Sequence, residues 1–241
     1  GNFFTGHVCP SFIKNNMWKK DKLYACYHDR EYFSAYLDDY AFLSKSCLEL
    51  LKIEWDDSKF SFLIMLVDIL INDFQDLNNG GFYFTSKDHE ELIYRPKSYM
   101  DESLPSGNSV AIDVLLEIYE LTGDNKYISA VENALKSAHD SLTRSSFSHC
   151  SLLLAAPRTR VSKRLIIIRC DKKDLKLNQD LINKTDAIND NIYFIANNEE
   201  ISVKSLSDKI SKGAFTAYIC QDNVCSAPIE SIDEFIEFMK Q

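Results

Sequence analysis

The stretch SVAIDVLLEIYELTG, Ser109 to Gly123, constrains the fold most. Its apolar residues fall on every face of a helix, and such a helix has to be covered on every face. Gly123 suits the left-handed position that ends a helix. Asp124 can cap the next pattern, NKYISAVENALKSAHDSL. There Ile128, Val131, Leu135, Ala138 and Leu142 make one stripe. A covered helix followed by a one-sided helix is the inner and outer alternation of an α/α toroid or a stack of helical hairpins.

The flanking sequence agrees with that class. Ser34 can cap a helix through AYLDDYAFLSKSCLELLKI, and Asp57 or Ser58 can cap KFSFLIMLVDILINDFQDL. NNGG breaks the pattern. GFYFTS and ELIYR, around the polar turn KDHE, predict a β-hairpin over 82–95. SSFSHCSLLLAA predicts a short helix up to Pro157. Beyond PRTRVSK, 157–163, the period changes. RLIIIRC, NIYFIAN and FTAYICQ are strand-like, with helical potential between them around LKLNQDLINK and VKSLSDKIS. SIDEFIEFMK, capped by Ser231, predicts a closing amphipathic helix. The expected organisation is a mainly α chain with a C-terminal α/β region: a partial α/α toroid over 1–157 carrying the hairpin, then a small α/β domain over 158–241 with some parallel pairing.

Charge and cysteine content narrow the function. Residues 1–157 hold 14 Lys and Arg against 23 Asp and Glu, so the acidic excess sits in the helical part and nucleic-acid binding is disfavoured. The longest apolar run, FSFLIMLVDILI, is interrupted by Asp68 and too short to span a bilayer; no membrane role is expected. Seven cysteines without dense spacing argue for a reducing compartment and a cytoplasmic location. The first residue is Gly1 rather than Met, which points to a processed piece with its natural start elsewhere.

Between the hairpin and the covered helix lies RPKSYMDESLPSGNS, Arg95 to Ser109. Its last residues bring free backbone N–H groups and polar side chains (Ser106, Asn108, Ser109) to a helix start, and Gly107 permits close approach. Arg95 and Lys97 can hold a carboxylate or phosphate. Asp101 and Glu102, with Asp38 and Asp39 at the start of another inner helix, are candidate acids and bases, and Tyr40 beside them is a candidate ligand-binding residue. Two carboxylates about 5–10 Å apart suit glycoside hydrolysis, and paired acid and base groups also suit a sugar epimerase. The same residue types cap helices and pin loops, so a structural role stands beside the functional one.

His28, His89, His139 and His149 are scattered, with His89 in the hairpin turn where it can overhang a channel. His139 reads as a surface residue and His149 as a satisfied core histidine. No metal-ligand spacing occurs, no GxSxG serine-hydrolase motif is present, and no cofactor is expected. Cys220 and Cys225, across QDNV, can meet over a turn. As a redox pair they lack the short CxxC spacing of oxidoreductases, so a reducible or simply buried pair is favoured.

YLDDYAFL (36–43), NNGGFYFTS (78–86), RPKSYMDESLPSGNSVA (95–111) and AYICQDNVCSAPI (217–229) together resemble the YyaL family, whose animal members are called spermatogenesis-associated protein 20. The resemblance implies a thioredoxin-like domain, then an (α/α)6 toroid similar to six-hairpin glycosidases and N-acylglucosamine 2-epimerases, then a small α/β tail. This chain has no CxxC and half the helices a closed ring needs, so it resembles the C-terminal portion only. Two readings follow. One is a carbohydrate-processing or carbohydrate-binding toroid taking a sugar-like small molecule. The other is a non-catalytic scaffold that completes or docks a thioredoxin-like subunit. Either leaves inner helices to be covered by the missing N-terminal half, a thioredoxin-like partner or self-association.

Overall fold

A computed structural model describes residues 3–26, 33–89, 93–184, 190–222 and 224–240. The chain forms two compact units, one from residues 1–48, 62–116 and 125–159, the other from 49–61, 117–124 and 160–241. The second unit therefore takes two helical stretches from the part expected to belong to the first.

The first unit is helical. Helix α1 (Phe3–Asn16) is followed by a two-stranded ribbon, β1 (Trp18–Lys19) with β2 (Lys22–Leu23). Three helices contribute to both units: α2 (Leu37–Ile53), α3 (Asp57–Ile69) and α4 (Gly107–Thr122). Helices α5 (Asn125–Arg144) and α6 (Cys150–Ala155) complete the first unit. Helix α4 is buried around its circumference, with Ala111, Ile112, Val114, Leu115 and Ile118 fully covered. Gly123, at φ 71°, donates its N–H to Tyr119 O and closes the helix. Helix α5 is one-sided, but its buried line runs through Tyr127, Ala130, Val131, Ala134 and Ala138. Ile128, Leu135 and Leu142 flank that line half-buried.

Three local expectations are corrected. Helix α2 begins at Leu37 rather than beside Ser34, and the Asp39 carboxylate accepts the Tyr36 N–H at 2.8 Å to close its first turn. Ser34 instead bridges Tyr24. Helix α3 is capped by Asp56, which accepts the N–H groups of Ser58 and Lys59 at 2.9 and 3.1 Å. The hairpin over 82–95 is not formed by the described residues, and 90–92 lie outside them. Its backbone groups bond elsewhere. Tyr83 and Lys87 donate to Phe74 and Asp73 of the π-helical turn Leu70–Phe74, Phe82 bridges Gln75, and Phe84 donates to Pro96 O.

The second unit carries a mixed sheet in the order β4-β3-β5-β6: β3 (Leu165–Cys170), β4 (Asn191–Ala196), β5 (Phe215–Gln221) and β6 (Val224–Cys225). Strand β3 is parallel to β4 and antiparallel to β5. One face packs Ile166, Ile168, Phe194, Phe215, Ala217 and Ile219 against Leu175 and Ile182 of α7 (Leu175–Ile182) and Phe235 and Met239 of α9 (Ile232–Met239). The single turn α8 (Lys204–Ser207) lies between β4 and β5 in sequence. On the other face, Tyr193 donates its hydroxyl to Glu117 at 2.6 Å, and Lys52 pairs with the same carboxylate at 2.8 Å. Glu117 is 1% exposed, so this acid, set within the most apolar helix of the chain, is buried in a satisfied network.

Candidate functional site

The start of α4 borders an open cavity of about 480 Å³, wholly within the first unit. Three segments form it. Helix α2 supplies Leu37 and Asp38, Phe84 and Pro96 come from two segments joined by the Phe84 N–H to Pro96 O hydrogen bond, and the loop from Ser98 with the first residues of α4 supplies the rest. Asp38 comes close because residue 107 is glycine: a Cβ there would stand 2.0 Å from Asp38 Oδ1. Phe84 stacks on Tyr36, with ring centroids 4.7 Å apart, and keeps part of its own face exposed to the cavity side.

Most of the sequence-predicted residues are used up in holding this loop. Asn108, 1% exposed, accepts the Phe82 N–H at 2.8 Å and donates to Phe82 O and Ser98 O at 2.8 and 2.9 Å. Ser106 donates to Tyr99 O, shares a 2.7 Å hydrogen bond with Ser109, and accepts the Ser109 N–H. Asp101 accepts the N–H of Ser106 at 3.0 Å and of Ser151 at 2.8 Å, tying the loop to α6. Arg95 donates to Thr85 O and lies 4.2 Å from the Tyr83 ring centroid. Lys97 pairs with Asp76 at 2.9 Å and donates to Gly80 O at 2.6 Å. Tyr40 is buried, its hydroxyl accepting the Leu23 N–H at 2.9 Å, and burial pushes that phenol up to about 12. Neither Arg95 nor Lys97 lines the cavity: Arg95 is engaged by the backbone carbonyls of Thr85 and Asp73, and Lys97 by the buried Asp76 and Gly80 O.

Two carboxylates remain at the cavity, Asp38 and Glu102, and no Lys or Arg among the described residues lines it. Burial is the main cause that raises the Asp38 pKa above the ordinary aspartate value, with the charges of Asp39 and Glu102 adding to it. Asp39 caps α2 and Asp101 holds the loop, so of the four acids only these two face the opening. The sequence did not mark the apolar wall of Leu37, Phe84, Met100 and Leu104. Leu104 is 66% exposed, and an apolar residue between serine and proline in so polar a loop was the available signal.

The other candidates lie apart. His149 is buried, sharing a 2.7 Å hydrogen bond between Nδ1 and Ser145 O and a 2.8 Å hydrogen bond between Nε2 and Ser141 Oγ. Since a carbonyl only accepts, Nδ1 donates to Ser145 O. His89 sits 5.3 Å from the Tyr36 ring, His139 is exposed, and His28 lies outside the described residues. Cys220 and Cys225 are joined in a disulfide in the second unit. Among the described residues no group of three or more His, Cys, Asp or Glu could hold a metal ion, and no helix is long and apolar enough to cross a membrane.

No family model matches the chain. It is 24% identical over 216 residues to an uncharacterized protein of Caenorhabditis elegans, covering 86% of this chain and 29% of that protein. It is 25% identical to spermatogenesis-associated protein 20 of Rattus norvegicus over 86% of the chain, and 23% identical to the human protein of that name over 80%. The chain spans less than a third of the length of these relatives: 27% of the rat protein and 26% of the human one. The similarity to these relatives runs along most of the chain.

Proposed function

We propose that this chain, a relative of spermatogenesis-associated protein 20, binds a small neutral polyhydroxylated ligand of the sugar class in the cavity ahead of α4. The helical unit is read as part of an α/α toroid. One observation carries the proposal: the cavity joins an apolar, partly aromatic wall to two carboxylates, with no cation at it among the described residues. Sugars present apolar faces that pack on aromatic rings and hydroxyls that donate to carboxylates. A net negative cavity disfavours phosphates and carboxylates. Asp38 is the group suited to give or share a proton, since burial and like charge favour its neutral form. Glu102, more exposed, supplies the second carboxyl group at the opening. That division of roles fits a glycosidase-like or epimerase-like acid and base pair.

The test is thermal shift and saturation-transfer NMR of the chain against neutral monosaccharides and their uronic acids. Neutral sugars are expected to stabilise the protein, uronates not, and Asp38→Asn together with Glu102→Gln to abolish the response. Stabilisation by phosphorylated or carboxylated sugars alone would overturn the proposal.

A further inference from the structure

The second unit has its own cavity, of about 440 Å³, with Cys220 and Cys225 in its wall. The two face each other across antiparallel β5 and β6. Ser226 donates its N–H to Ile219 O beside them, so the cysteines occupy a non-hydrogen-bonded pair, the position where cross-strand side chains come closest. Their sulfurs are bonded. Cys225 is exposed while Cys220 is 7% exposed, so a thiolate arriving from solvent meets Cys225 first. Charge around the bridge is balanced: Lys163 and Lys209 against Glu120 and Asp222. Both acids are held in place, Asp222 by the Ser162 hydroxyl at 2.8 Å and Glu120 by the Asn191 amide at 2.6 Å. Lys209 lies 5.7 Å from the ring centroid of Tyr218, two residues before Cys220 on β5. A wall with two ammonium and two carboxylate groups suits a ligand that carries both signs itself.

We propose that this cavity is a thiol–disulfide exchange site for a small zwitterionic cysteinyl peptide. The lysines receive the peptide's carboxylates and the acids its ammonium group. The peptide thiolate attacks Cys225 Sγ, a new S–S bond forms there, and the Cys220–Cys225 bond breaks with its electron pair passing to Cys220 Sγ, which leaves as a thiolate. The peptide sulfur is oxidised to the disulfide level as Cys220 is reduced, so no further oxidant or reductant enters the step. Attack by the Cys220 thiolate on the mixed disulfide restores the bridge and releases the peptide.

The experiment incubates the oxidised chain with reduced glutathione or with neutral 2-mercaptoethanol, with iodoacetamide added to trap Cys220, and maps the products by peptide mass. Each rate is normalised to that thiol's rate with free cystine. The expected result is a glutathionyl group on Cys225 and an alkylated Cys220, with a normalised rate for glutathione about tenfold above that for 2-mercaptoethanol, equivalent to about 1.4 kcal/mol of added binding from the complementary charges. Lys209→Ala is expected to lower the glutathione rate and leave the neutral thiol's rate unchanged. Equal normalised rates, glutathione carried by Cys220 instead, or a bridge inert to both thiols would overturn the assignment.

Discussion

Replacing Asn108 by alanine removes three buried hydrogen bonds at once: one accepted from the Phe82 N–H and two donated to Phe82 O and Ser98 O. Asn108 is 1% exposed and Phe82 fully buried, so water does not readily take over these partners. A net hydrogen bond contributes about 1 kcal/mol, and a buried group stripped of its partner costs about 1–3 kcal/mol. Alanine regains roughly 0.5 kcal/mol of helix propensity at the start of α4. The balance is a loss of about 3–5 kcal/mol, a large share of the roughly 5–15 kcal/mol that holds a native domain. Urea unfolding followed by fluorescence should show the midpoint falling by about 1–3 M with the slope unchanged. Asn108→Asp is the informative companion. It keeps an acceptor for the Phe82 N–H but turns a carboxylate oxygen toward two carbonyls, so it should destabilise at least as much. If Asn108 served chiefly to touch a ligand, both variants would fold with full stability. A loss below about 1 kcal/mol for Asn108→Ala would refute the reasoning that this residue pins the cavity.

Tyr193→Phe leaves the buried Glu117 with one partner fewer, and calorimetry should record a loss of about 1.5–3 kcal/mol, the range for hydrogen bonds to charged groups. Burial works against the charge on Asp76, yet the Lys97 ammonium, the N–H of Asn79, the Tyr83 hydroxyl and the Asn79 amide hold its carboxyl well below the usual range. Its folded pKa is therefore lower than its unfolded one, and its contribution is complete above the ordinary value of 3.8 and lost as pH falls through the folded value. Asp76→Asn should lower stability at neutral pH and flatten the acid limb of the stability curve. Asp38 has the opposite sign. Its folded pKa is raised, so its stabilising contribution is present below 3.8 and lost as pH rises through the folded value. Asp38→Asn should then raise the melting temperature at pH 7 relative to the parent chain and match it in acid.

The sequence disclosed whatever depends on a long run of residues. Helix α4 was legible because no arrangement of SVAIDVLLEIYELT leaves a polar face wide enough for water. Strands β3 to β5 were legible because their β-branched and aromatic runs are short and bounded by polar stretches. Caps were misassigned where two polar residues stood close together. Asp39 and Asp56 won over Ser34 and Asp57 because only the fold decides which side chain meets a free N–H. The hairpin failed for a non-local reason: the backbone of 82–87 bonds to the π-helical turn before it, a structure no periodicity announces. The loop before α4 was legible as a special segment but not as a division of labour. Arg95 and Lys97 read as ligand-binding cations because the carbonyls of Thr85 and Gly80, and the buried Asp76, are distant in pattern though close in space. Glu117 carried a signal that could have been used. With Asp113 and Glu120 it forms one acidic line down an apolar helix, and Lys45 pairs with Asp113 as Lys52 pairs with Glu117.

Asp38 of α2, beside the start of α4, is half-buried, and burial with the charges of Asp39 and Glu102 raises its pKa above the ordinary aspartate value. Titrating its side-chain carboxyl by carbon NMR measures that directly. The account predicts a midpoint above 3.8 that moves down in Glu102→Gln and shifts when a neutral sugar is added. A midpoint at or below 3.8, indifferent to both, would contradict it.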